Sequence, residues 1–532
     1  MRRRSHSGLV LVLGAAAAVL ILCSAGLATT APGSDTQRLV ILVRSTGQGG
    51  LDPLIQVGSS VDKFIEPLYE GLVVYDPGAK AYRASLAESW IVSPDGLQYT
   101  FKLRRGVRFH DGAMLTAEAV KGTYDRAKRI NLGLAYLLTA VARTDVVDPV
   151  TVRIVLSQPT PFFLYTTFRI KIISPKAIKE HDLNGDLAQQ WLVSNAAGTG
   201  PFQLVRWAPE QNDIVFKRFP GYWKPWRGPH LDTVVYNRVV EPATQRQLLE
   251  RGDGDMIVDQ VLPQDVPALR QNPALRLDIW TPARIEIITM RSDRGPLANR
   301  KLREALTYAF PYEQVLAALD GLAGPAQGPL PRSVPEHDDT LPIYKQDLTR
   351  ARRLLAEAGY PTGGLSLNLV MVQALAVERI PAELFQSALA ALNINVSIQE
   401  LTFPAMVTKF RNETAATDMA FLVLDTAGPT PDRILYEGYH SDAIGKIYNW
   451  AWYTNVLLDK VLTEASTSID PARRLALYRR AQRIIVGDAP AIFVLEPASI
   501  MARRTWVKGF KPNVMLPFAV NLEEIYIEGR GR

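Results

Sequence analysis

Residues able to move protons, hold metal ions or attack a substrate are sparse in this chain and lie far apart. Its six histidines stand singly at 6, 110, 181, 230, 337 and 440, and its one cysteine is Cys23. A zinc site needs ligands that converge at close spacing, and no H-E-x-x-H is present. The G-x-S-x-G elbow of serine hydrolases and the phosphate-cradling G-x-x-x-x-G-K-[ST] are also missing. One acid–base pair adjacent in sequence is His110-Asp111, in YTFKLRRGVRFHDGAMLTAEAV at 99–120. It reads either as a catalytic or metal-binding pair, or as a corner in which Asp111-Gly112 turns the chain between a strand and a capped helix. Asp-Gly is a strong turn dipeptide, and the turn reading is preferred. Lys102, Arg104, Arg105 and Arg108 fall on the polar face of the strand and its exit, which suits a solvated surface better than a nucleic-acid patch.

The elements around these residues form an ordinary globular pattern. At 532 residues the chain exceeds one typical core, and 47% apolar with 21% charged residues suits a folded protein of two or more lobes. Residues 1–28 read as a secretory signal peptide: Arg2-Arg3-Arg4, an apolar run from Leu9 to Leu22, then SAGLATTA with cleavage after Ala28. Leu22 before Cys23 disfavours a lipid anchor. Cleavage there leaves no cysteine, hence no disulfide and no thiol nucleophile. It also removes three arginines and no acid, leaving 57 basic against 53 acidic residues. That mild, interspersed balance implies no nucleic-acid partner.

Further along, 61–72 has helical spacing interrupted by Pro67, and Asp52-Pro53 is a turn. Residues 86–104 alternate as a hairpin turning at Ser93–Gly96, and Thr116 caps a helix to about Arg129. RLDIWTPARIEIITMRS (276–292) reads as extended chain, followed by an amphipathic helix in NRKLREALTYAF. From there strands and helices alternate, through LSLNLVMVQ, a helix at 377–392, NVSIQEL and DMAFLVLD, as in an α/β lobe.

YEGLVVYD (69–76), LAESWIVSPDGLQYTFKLRRGVRFHDGAMLTAEAV (86–120) and GTGPF (198–202) resemble the extracytoplasmic solute-binding proteins of ABC peptide/nickel importers, family 5. ISPKA, NRKLREALTYAF, DLTRARRLLAEAGY and ARRLALYRRAQRIIVGDAPAIFVLEP follow in matching order. The resemblance implies a mixed α/β, two-lobed periplasmic-binding-protein-like fold with an extra subdomain in lobe I. Lobe I would take 38–282 and the return at 494–532, and lobe II 283–493. It implies a monomeric, periplasmic receptor that is not an enzyme and needs no cofactor. Such a receptor captures a small solute between its lobes and hands it to a membrane permease. A peptide or peptide-like solute is expected; an oligosaccharide, opine-like or chelated-metal ligand on the same shell, or a secreted enzyme, are the alternatives. Peptide binders of the family hold the α-amine with an aspartate in W-x-x-D-x-x-D-P. Here FLVLDTAGPTPDRIL (421–435) puts either Asp425 or Ala427 at that position, depending on the end from which it is aligned. The arginine that grips a dipeptide carboxylate matches Ala374, beside Gln373, so that grip is missing. Tyr448, Trp450, Trp452 and Tyr453 could stack on a ligand or pack lobe II. The resulting candidate set is Asp425, Gln373, Tyr448, Trp450, Trp452 and Tyr453, with no metal ligand.

Overall fold

The computed structural model describes residues 37–46, 50–55, 59–259, 261–373, 376–414, 417–425, 428, 430–446 and 448–530. The signal-peptide segment, Cys23, Ala374 and Ala427 lie outside these. No described helix is long and apolar enough to cross a membrane.

Local chemistry sets most elements where the residue pattern puts them. Strands Ala87–Val92 and Gln98–Leu103 pair antiparallel across Ser93–Gly96, where Gly96 N donates to Ser93 O and takes φ +70°. Tyr99, Phe101 and Leu103 are buried on one face. The hairpin joins Thr151–Leu156 and Val141–Asp148 in a separate four-stranded sheet. Against it packs helix Ala117–Ile130, whose first turn is closed by Thr116 Oγ1 accepting from Ala119 N. The helix begun near 61 runs only Asp62–Leu68, because Pro67 cannot continue the hydrogen-bond ladder.

Two larger sheets carry the architecture. One has seven strands in the order Leu275–Trp280, Ser499–Arg504, Met256–Ile257, Arg38–Val43, Thr233–Arg238, Asp213–Arg218, Phe202–Ala208. The other has six, in the order Ala323–Pro325, Ala491–Pro497, Arg284–Met290, Met419–Asp425, Leu365–Val372, Ile394–Leu401. The extended run at 275–291 is therefore cut in two. Leu275–Trp280 pairs with Ser499–Arg504 in the first sheet, and Arg284–Met290 pairs with Met419–Asp425 in the second. Pro282, which has no N–H to give a ladder, lies between them. The chain crosses back at Ala498, between Ala491–Pro497 and Ser499–Arg504, so residue 494 sits inside a strand of the six-stranded sheet. The strands ending at Val372, Leu401 and Asp425 run parallel, which gathers their carboxyl ends on one edge.

The turn at Asp52 does more than reverse the chain. Asp52 is 1% exposed; its carboxylate accepts from Leu54 N and forms a two-pronged pair with Arg126, at 3.1 and 2.6 Å. Arg126 Nε also donates to Leu187 O, so one buried cation ties the 52–54 turn, helix Ala117–Ile130 and the loop at 187. Removing only the cation strands a buried carboxylate. Arg126→Met should cost about 3–5 kcal/mol in urea unfolding followed by tryptophan fluorescence; a midpoint within error of the parent would refute this role.

Candidate functional site

In open α/β sheets, ligands gather beyond the carboxyl ends of the strands, where connections diverge. That edge of the six-stranded sheet faces the seven-stranded sheet across a cavity of about 270 Å³. Val258, Trp280 and Met501 line it from one side, and Arg284, Val423 and Asp425 from the other. Both crossings between the sheets border it, through Trp280 and Arg284 at the first and Pro497 to Ser499 at the second. A larger cavity, about 640 Å³, takes no lining residue from 284–497. Its buried acid, Glu70, is already bonded by Thr199 Oγ1, Tyr222 OH and Trp223 Nε1. The smaller cavity, shared between the sheets, is the better candidate.

Asp425 ends its strand directly opposite Arg284 on the neighbouring strand. Behind it stands Arg433, 8% exposed, on helix Asp432–Tyr439. Arg433 Nε donates to the Asp425 carbonyl at 3.2 Å and lies 3.8 Å from its carboxylate. Its two terminal nitrogens donate to Tyr136 OH at 2.9 Å and Tyr448 OH at 2.8 Å. Burial pushes the Tyr448 phenol up to about 12 against the pull of Arg433, so it stays neutral. Tyr136 belongs to the 133–138 turn, so this guanidinium bridges residues far apart in sequence.

The structure thus joins Asp425 and Tyr448 through Arg433 and gives the other candidates different surroundings. Trp450 is 1% exposed and stacks on Phe410 at 4.7 Å. Tyr453, also buried, donates its hydroxyl to Asp488, and Trp452 donates Nε1 to Phe410 O beneath the Arg291 guanidinium. Trp450 and Tyr453 pack the core of the six-stranded half, and none of the three lines the cavity. Gln373 follows the Leu365–Val372 strand at the right edge but is exposed, with its backbone N donating to Leu401 O. Asp432 is engaged by the Tyr478 hydroxyl in the core.

His110 takes the corner role. Its Nε2 contacts Gly200 O at 3.0 Å, and burial pushes the imidazole down to about 4, so it is neutral at pH 7. Asp111 accepts from Ala113 N and from Ser174 Oγ. Among the described residues no group of three or more His, Cys, Asp or Glu is placed to hold a metal ion.

The description "Bacterial extracellular solute-binding proteins, family 5 Middle" matches residues 81–446. The chain belongs to that family. The probable D,D-dipeptide-binding periplasmic protein DdpA of Escherichia coli K12 is 29% identical over 497 residues, covering 91% of this chain and 93% of that protein. The glutathione-binding protein GsiB of Escherichia coli O1:K1 / APEC is 29% identical over 526 residues, covering 96% and 97%. Among solved structures, the periplasmic binding protein DppA of Helicobacter pylori, in complex with peptide STSA, superposes with TM-score 0.79 at 24% identity, covering 92% of this chain and 98% of that one. The fold is the two-lobed, mixed α/β one, and the proteins that this family 5 chain resembles bind solutes rather than transform them.

Residue reasoning passed over Trp280, Arg284, Glu286, Glu378 and Arg433. Arg284 and Glu286 carried a signal: two charges at i and i+2 share one face of an otherwise apolar strand, RIEIITM. Arg433 carried none.

The two halves of this family 5 protein meet tightly at Gly428, where a Cβ would lie 2.2 Å from Cε2 of the Tyr165 ring. Gly428→Ala should therefore hold the halves apart. Small-angle scattering should give a larger radius of gyration for the variant, restored when Tyr165→Ala is added; an unchanged radius would remove this contact from the closing surface.

Proposed function

We propose that this chain is the periplasmic receptor of an ABC importer and that it carries a small peptide or peptide-like solute bearing a free amine. Its lobes are taken as 38–281 with 499–532, and 283–497, closing on the solute and presenting it to a permease. The observation that carries this reading is the position of Asp425 on the wall of the cavity between the two sheets. A cavity of about 270 Å³, just under the roughly 300 Å³ lower end of small-ligand pockets, favours a solute no larger than a dipeptide. The names of the relatives point the same way: a D,D-dipeptide, glutathione and a tetrapeptide are all peptide-like. Asp425 would receive the amine in a charge-assisted bond, with Arg433 holding its carboxylate in place. Gln373 and Tyr448 flank this edge and would contact the solute only peripherally; Trp450, Trp452 and Tyr453 would support the fold. A secretory signal at 1–28 fits this location, and a monomer suffices for it.

A ligand that binds only the folded chain raises its melting temperature. Dipeptides with a free amine should raise Tm without being consumed, their N-acetylated forms should not, and mass spectrometry of denatured protein should release a solute of the same class. Asp425→Asn should weaken dipeptide binding at least about tenfold, the order lost with one charge-assisted hydrogen bond. Equal affinity for acetylated and free dipeptides, or turnover of either, would overturn the reading.

A further inference from the structure

The cavity wall holds more polar chemistry than one amine can use. Glu286 is 3% exposed, and its Oε2 has no hydrogen-bond partner among the described residues. Arg284 Nε and Trp280 Nε1 are likewise buried without one. All three line the cavity, together with Glu378, which is 1% exposed and, among the described residues, accepts a 3.3 Å bond from Val372 N. Native folds leave few buried polar groups unsatisfied, and here several converge on one space. Such groups are satisfied by whatever enters that space.

The balance of charge says what that is. Two carboxyl groups face the cavity beside Asp425, whose charge is already met by Arg433. Arg284 is the one cation among the lining residues, and it shares a strand with Glu286. From the seven-stranded side come Val258, Trp280 and Met501, none of them charged. Resting on the reading of this cavity as the solute site, we propose that Glu286 and Glu378 form a second subsite, which selects a basic group of the solute, an amine or guanidinium.

The electrostatics agree with that geometry. Burial, opposed by Arg284, pushes Glu286 up to about 8. Burial and then the neighbouring Glu286 push Glu378 up to about 9. Both therefore carry protons at pH 7 when the site holds no cation. An entering cation favours the carboxylate form, and the displaced proton passes to water; the cation itself is unchanged. The preference for a basic over a neutral side chain thus grows as pH rises towards 9. In the free protein the sign is opposite for stability. The folded carboxyls hold protons that the unfolded ones, near 4.5, have lost, so stability falls as pH rises from about 5 to 9.

Calorimetric titration of Ala-Arg and Ala-Ala at pH 6 to 9, in two buffers of different ionisation enthalpy, tests this. Both dipeptides take up the same fraction of a proton at the α-amine, ordinarily about 8, so at pH 8 Ala-Arg should bind at least about tenfold more tightly and release about one proton more than Ala-Ala. Glu286→Gln and Glu378→Gln should each bring the ratio of the two affinities to within about threefold, remove the proton release and flatten the decline of ligand-free Tm with pH. An unchanged ratio and proton count in both variants would overturn the subsite. Agmatine, which has basic groups and no peptide bond, separates the two readings. Proton-releasing agmatine binding without dipeptide binding removes the peptide reading and keeps the subsite. Dipeptide binding with no preference for arginine removes the subsite alone, and binding of neither probe removes both.

Discussion

A guanidinium out of water must have both its donors and its charge met where it stands, and Arg433 is where this protein meets that demand. Each of its bonds fixes a different part of the cleft. The bond to the Asp425 carbonyl sets the end of the central strand, and the bond to Tyr448 pins the loop before the aromatic core. The bond to Tyr136 reaches into the core that surrounds the seven-stranded sheet, where Leu134 and Leu138 flank it in the same turn. Charge-assisted bonds of this kind are individually stronger than neutral ones, so a single guanidinium, 3.8 Å from the Asp425 carboxylate, ties the two halves together.

Much of the scaffold was legible because its signals are local. The Ser93–Gly96 turn, the Thr116 cap and the alternation of Tyr99, Phe101 and Leu103 need only a few neighbouring residues to be read. The run at 275–291 shows where local signals stop. Extended chain was correctly read there, but which sheet each half joins depends on partners more than a hundred residues away. The same limit governs the aromatic cluster. Tyr448, Trp450, Trp452 and Tyr453 look alike in sequence, and only Phe410, Asp488 and Arg433 decide which of them face the interior of one half and which reaches towards the cleft. Family resemblance pointed to Asp425, which lines the cavity; Glu286 carried only the local signal of a charge on an apolar strand, and the space it shares with Glu378 is made by folding.

The strands that cross between the halves also supply the cavity wall, and this links its chemistry to any motion about the crossings. Trp280 and Arg284 bracket residues 281–283, and Pro497 and Ser499 bracket Ala498. Rotation of one sheet from the other would draw Val258 and Met501 away from Val423 and Asp425, and water would reach Glu286 and Glu378. Hydration lowers the cost of ionising a carboxyl group, so an entering cation displaces its proton more readily in an opened cleft than in a closed one. Closing around the cation then leaves it in the place that proton occupied. A ligand shifts an equilibrium only through the difference in its interactions with the two states, and buried carboxyls at the crossings would supply that difference as a difference in protonation.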